Sequence, residues 1–434
     1  MGILLKNGLI ITQNSNRDIR ETDLLIEGNT IKRISPDIEP DQHKIYDFTG
    51  LVISPGFIQS HIHLCQTLFR NLADDMELLD WLEKRIWPME MAHNEESLRA
   101  SAQLGLAEIL LGGVTSILDM GNGKFQEVIF EELAASGIRG FSGMVMMDTG
   151  DQPYQQDTAE VLDETEKYIE KWNGYDNGRI GYALAPRFVP SCSKKLWASV
   201  KELAEKSGLI IHTHASENNK EWQLVKNSTG HSNVEFFVRR GLASSKLCLA
   251  HCIWVSDDEI KMLKDYGINV LHCPTANLKL GSGIAPIPKF LAQKINVSLG
   301  SDGAPCNNNL DIFQEMRLAS LIQKPLSGVT STSAAQIFDM ATINGAKTLG
   351  LEKQIGSLEE GKKADLIVLN LNKVHSIPAD DIYAQIVYSA WPTDVRHVMI
   401  DGKWVMFDQT LKNYSLDKIK ENTWKEIQNL FQRQ

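Results

Sequence analysis

The sequence predicts an α/β chain: a (β/α)8 barrel of the TIM type, with a small β-sandwich domain formed by the N- and C-terminal segments. Three observations predict it. Between Phe57 and Asp302, about eight short apolar runs alternate with helix-like stretches, the pattern of successive parallel βαβ units. Several of those runs end in histidine or aspartate, at the strand ends where a parallel barrel carries its chemistry. Short alternating segments with turn residues between them sit at both ends of the chain.

In chain order, strand-like segments cover residues 3–5, 9–12, 23–27 and 30–34, the last two turned by Glu27-Gly28-Asn29. The same pattern returns at 364–369 and across 395–405, turned by Asp401-Gly402-Lys403. Residues 1–55 plus 362–434 therefore form the small domain, with a closing helix at roughly 416–431, and residues 56–361 form the barrel. Within the barrel, strands are expected at 55–63, 183–187, 210–214, 247–251, 269–272 and 297–302, with a helix at 194–206.

Composition narrows the function. The 434 residues are 43% hydrophobic and 23% charged, which excludes disorder and collagen-like or coiled-coil repeats. A net charge of −11 argues against nucleic acid or anionic lipid as the main partner. The opening residues lack the apolar core of a secretion signal, and Lys6 breaks the myristoylation pattern. The best candidate for a membrane span, residues 104–120, is interrupted by Glu108 and Gly112-Gly113. Cysteines 65, 192, 248, 252, 273 and 306 show no CxxC spacing and suit a reducing compartment. A cytoplasmic enzyme is expected.

The polar strand ends carry the chemistry. His61 and His63 stand two apart on a strand, so both imidazoles face the same way. His214 ends the fifth run, His251 the sixth and Asp302 the eighth. Five such groups at successive buried strand ends need partners, and a shared metal supplies one. His61, His63, His214 and Asp302 make a set suited to one Zn2+, with Fe2+ or Mn2+ also compatible. His251 either holds the metal's water or binds a second metal. The fourth strand end, Ala185-Pro186-Arg187, offers no bridging lysine, which favours one metal. Glu217, three residues past His214, is placed to move protons between the water and a substrate nitrogen.

These residues lie in longer motifs: PGFIQSHIH, HASE, LAHC, HCPTANLKLGSGIAP, LGSDGAP and GSLEEGKKADLIVL. In order and content they resemble the amidohydrolase superfamily, in its nucleoside and nucleobase deaminase branch. NLKLGSGIAP, with Asn307-Asn308-Asn309-Leu310 and Glu315-Met316-Arg317-Leu318, looks most like the 5′-methylthioadenosine/S-adenosylhomocysteine deaminases. The resemblance implies a mononuclear zinc enzyme that replaces an exocyclic amine with oxygen. It implies that Asp302 takes a proton from the water, His251 orients that water, and Glu217 protonates the purine ring. It also implies a homo-oligomer, since this family often pairs barrels.

For the substrate, Pro88-Met89-Glu90 matches a glutamate that binds ribose hydroxyls, with Trp81 and Trp87 able to wall the pocket. The arginines that bind the S-adenosylhomocysteine carboxylate are absent from residues 140–148, which favours a neutral 5′ group. Met144, Met146 and Met147 would tolerate an apolar 5′ tail. A second feature pulls toward an oxo-purine: Pro186-Arg187-Phe188, with Gln66, resembles the purine clamp of guanine deaminase. The leading expectation is an adenine nucleoside deaminase acting on 5′-methylthioadenosine, 5′-deoxyadenosine or adenosine. Its rivals are a guanine-type base deaminase, a triazine or other amino-heterocycle hydrolase, and an inactive barrel serving as scaffold.

Overall fold

Short apolar strands separated by helices do assemble into a parallel sheet. The computed structural model describes residues 2–149 and 155–433. In it, strands Phe57–His63, Val114–Asp119, Arg139–Ser142, Ile180–Pro186, Ile210–Ala215, Leu247–His251, Asn269–His272 and Val297–Leu299 follow one another edge to edge, all parallel. These strands are buried on both faces, between helices outside and side chains within, which is why they read as continuous apolar runs.

The expected run at 297–302 is broken. After Leu299 the chain passes Gly300 and Ser301 before Asp302–Gly303 pairs with the first strand, Asp302 opposite Ile62 and Gly303 opposite His63. This pairing joins the last strand position to the first. Gly300 permits the approach, since a Cβ there would stand 2.5 Å from the His61 carbonyl oxygen. Ile58, Leu118, Ala183, Ile210, Cys248, Ala250 and Leu271 cluster in one core, and the polar groups collect at the C-terminal strand ends.

A second, mostly antiparallel sheet of nine strands draws on both ends of the chain. Strand Val52–Pro55 pairs with Leu366–Leu369, and Leu5, Ile10, Leu24, Ile26, Leu366 and Met399 share its core. The segments expected at 3–5 and 9–12 are one strand, Ile3–Ile11, with an irregularity between Leu5 and Gly8. Arg139 on the third parallel strand ties the two sheets together. It donates to both carboxylate oxygens of Asp365, at 2.7 and 3.0 Å, with both side chains buried. The C-terminal helix Leu416–Arg433 lies against helix Glu95–Leu111, where Arg433 donates to Ser97 Oγ and to the Ala92 carbonyl. All six cysteines are free and buried, and among the described residues no helix is long and apolar enough to cross a membrane.

Candidate active site

Four of the residues expected to bind metal converge. One ring nitrogen from each of His61, His63 and His214, and a carboxylate oxygen of Asp302, lie within 4.8 Å of one another. His63 Nε2 and His214 Nε2 stand 3.3 Å apart, while Asp302 Oδ1 is 3.3 Å from His61 Nε2 and 3.4 Å from His63 Nε2. Burial pushes the pKa of all three imidazoles down, so each is a neutral lone-pair donor. Burial works the other way on Asp302, but the surrounding His61, His63 and His251 rings outweigh it and hold the carboxylate well below its usual range.

This arrangement fits a divalent cation. His214 Nδ1–H donates to the Arg187 carbonyl at 2.7 Å, which leaves Nε2 as a bare lone pair facing the His63 ring. If the His63 hydrogen sits on Nδ1, its Nε2 is a second lone pair 3.3 Å away, and a cation between the two would relieve their repulsion. His61 Nε2 is fully buried and makes no well-formed hydrogen bond. Three neutral nitrogens and one anionic oxygen form a donor set for a divalent transition metal.

Backbone strain is concentrated around the site. Ser216, His251, Cys252 and Asp302 all have positive φ, at 54°, 76°, 48° and 63°. Left-handed backbone costs a non-glycine residue about 1–2 kcal/mol, and it persists here because neighbours over-determine it. Gln59 accepts from Ser301 N and donates to the Leu310 carbonyl. Asn307 Nδ2 donates both to the Ser301 carbonyl and to Glu315. Together they clamp the turn that delivers Asp302. Asp119, pushed up to about 6 by burial, holds the turn after His63 by accepting from Leu64 N and Ser142 Oγ.

Glu217 and His251, the further catalytic candidates named from the sequence, lie beside the donor set. His251 Nε2 is 3.4 Å from Glu217 Oε2 and 3.9 Å from Asp302 Oδ2, and its Nδ1 is 2.8 Å from Asn277 Oδ1. Burial raises Glu217 to about 7, the range for a group that exchanges protons near neutrality. Glu221, pushed up to about 8, accepts from the Glu217 backbone N–H. Leu78, Leu82, Arg187, Phe188, His214, Glu217 and Glu221 line a cavity of about 30 Å3 here.

The substrate candidates form one network. Glu90 accepts from Gln66 Nε2 at 2.8 Å and from Arg187 Nη1 at 2.8 Å, with all three side chains buried. Glu90 also lies within 4.8 Å of a His63 ring nitrogen. Trp87 and Trp81 are elsewhere: both are buried in an apolar cluster with Phe69 and Met147, and neither lines the cavity. Met144, Met146 and Met147 are core residues. Arg179, the first arginine after residue 140, donates to the Leu133, Ala134 and Ile138 carbonyls and takes no part in the site. Sequence reasoning missed His212, Asn277 and Glu221. The HTH spacing and the NLK motif carried a signal for the first two; Glu221, in the first turn of helix Asn219–Thr229, reads in sequence as an ordinary first-turn carboxylate.

A profile of the amidohydrolase family matches residues 52–405. The chain belongs to the amidohydrolase family. Among relatives in that family, the 5′-deoxyadenosine deaminase of Methanosarcina mazei is 35% identical over 433 residues, covering 99% of each chain. The 5-methylthioadenosine/S-adenosylhomocysteine deaminase of Thermoanaerobacter pseudethanolicus is 35% identical over 438 residues, covering 100% of each. The zinc-bound adenosine deaminase of Xanthomonas campestris superposes with a TM-score of 0.94 at 26% identity, covering 99% of this chain and 98% of that one.

Proposed function

We propose that this amidohydrolase is a zinc-dependent hydrolytic deaminase of an adenine nucleoside with a neutral 5′ group: 5′-deoxyadenosine, 5′-methylthioadenosine or adenosine. The observation that carries the reading is a proton-exchanging carboxyl, Glu217, beside His251 and a four-residue metal donor set. Relatives named for 5′-deoxyadenosine and for 5-methylthioadenosine/S-adenosylhomocysteine support an adenine nucleoside as the substrate class.

His61, His63, His214 and Asp302 would hold one zinc ion, which would supply hydroxide at neutral pH by lowering the pKa of a water toward ~7. His251, fixed by Asn277, orients that water with Nε2. Asp302 Oδ2, on the same side as His251, accepts the water's proton. Glu217 donates a proton to the purine ring nitrogen, so electron density leaves C6 as oxygen adds. Asp302 then passes its proton to the exocyclic amine. The C–N bond breaks and ammonia departs; the C6 hydroxyl becomes the carbonyl, its proton restores Glu217, and the inosine analogue keeps the hydrogen on its ring nitrogen.

Gln66 and Arg187 both donate to Glu90, so the two groups of a guanine clamp are already engaged by a carboxylate. A carboxylate has about four acceptor positions, and those left over suit ribose hydroxyls better than a purine carbonyl. The test is ammonia release by zinc-loaded protein from 5′-methylthioadenosine, 5′-deoxyadenosine, adenosine, S-adenosylhomocysteine, guanine and a triazine. The 5′-deoxy nucleosides should lead, with S-adenosylhomocysteine poor. Turnover led by guanine would overturn the substrate reading and leave the chemistry standing.

A further inference from the structure

The fifth barrel strand presents two histidines, His212 and His214, and the metal donor set uses only the second. His212 is completely buried, and its Nε2 lies 2.7 Å from Nδ1 of His61. The rings meet edge to face, with centroids 4.9 Å apart. The contact crosses the barrel interior, because the first and fifth strands are not neighbours.

We propose that His212 is a positioning residue that fixes the tautomer of His61, so that His61 Nε2 faces the metal as a lone pair. The proposal rests on the metal-site reading above. Two imidazole nitrogens 2.7 Å apart share one hydrogen. If a neutral His61 holds it on Nδ1 and donates to His212, Nε2 is bare and turned toward Asp302 Oδ1, 3.3 Å away. If His212 donates instead, the His61 proton moves to Nε2. It then points into the donor set, where it competes with a cation. His214 has no such ambiguity: its Nδ1 faces the Arg187 carbonyl, which can only accept. His61 has a second imidazole where His214 has a peptide oxygen, so the choice of tautomer passes to His212. A ligand's partner on its outer side is worth 10–100-fold in metal affinity.

The test compares wild type, His212→Leu and His212→Gln, each stripped of metal and titrated with zinc against a competing chelator. Gln can offer an amide oxygen to His61 Nδ1–H, whereas Leu fills the space without an acceptor. The expected result is a 10–100-fold loss of zinc affinity in His212→Leu and recovery to within about threefold of wild type in His212→Gln. The metal-free variants should melt close to each other. Equal affinity in wild type and His212→Leu would overturn the proposal, and so would equal weakness in Leu and Gln. If His212→Leu fails to fold, proton–nitrogen NMR of histidine-labelled, metal-free wild type decides: hydrogen on His61 Nδ1 supports the assignment and hydrogen on His61 Nε2 overturns it. A wild type that binds no zinc would sink the metal reading itself.

Discussion

Arg187 and Glu90 form a buried ion pair beside the metal donor set, Nη1 to Oε2 at 2.8 Å, although 97 residues separate them in sequence. Arg187 has a second link to the site through its backbone, because its carbonyl orients the His214 ring. One residue thus anchors both the candidate ribose acceptor and a candidate metal ligand. The sequence presented Arg187 and Glu90 as evidence for different substrates. The fold makes them partners.

Replacing Glu90 with Gln keeps the shape but removes the charge that balances Arg187. If Glu90 anchors ribose, kcat/KM for adenosine should drop about 10–100-fold, which is about 1.4–2.7 kcal/mol. For 2′,3′-dideoxyadenosine, which lacks the hydroxyls, the drop should be small. Equal losses on both compounds would count against a ribose role.

Glu217→Gln should lower kcat by roughly 10²–10⁴-fold, the usual weight of a positioned acid or base. Its pH dependence has a definite sign. Burial raises the Glu217 pKa to about 7, so the carboxyl keeps its proton below that pH and loses it above. Proton donation to the ring requires the protonated form, and kcat/KM should fall as pH rises through about 7. A rate profile of the variant with the same alkaline limb would show that another group is responsible.

The cavity of about 30 Å3 has room for water but not for a nucleoside. Leu78 and Leu82 close it from the segment that Glu77 pins to Lys220 at 3.0 Å. That segment should therefore open on binding and release. Amide hydrogen exchange read at residues 77–86 should be fast in the zinc-loaded protein and slowed by bound inosine. Identical exchange with and without inosine would contradict this.

Asp365→Ala leaves Arg139 buried without its bidentate partner, and a change of that kind typically costs about 3–5 kcal/mol. The midpoint in urea should shift accordingly. Activity per folded molecule should hold, because the pair lies between the two sheets and away from the donor set. A loss of unfolding free energy below about 1 kcal/mol would mean that Asp401, 3.4 Å from Arg139, suffices alone.

How much was legible in the sequence follows from which physics is local. His61 and His63 were readable because a two-residue spacing on a strand puts two side chains on one face. His214, His251 and Asp302 were readable because each ends an apolar run, and such runs are strands whichever neighbours they acquire. The strand at Leu247–His251 appears at the residues expected, and its last residue reaches the site. The run expected at 297–302 does not stay continuous, because its end must bend to pair with Phe57–His63 and carry Asp302 at positive φ. That bend depends on Gln59, 242 residues away in sequence, and on Asn307, which is near in sequence and is itself held by Glu315.

By itself, then, the sequence determined the alternation of strands and helices and pointed to the candidate donor set and the candidate proton carrier, since periodicity and residue chemistry act over a few residues. Only the tertiary structure decided which polar groups face each other. It joined Glu90 to Arg187 and Gln66, set His212 against His61 and packed Trp87 among apolar core residues. Those outcomes depend on how segments distant in sequence meet in the fold, and hydrogen bonds across such distances leave no periodic trace along the chain.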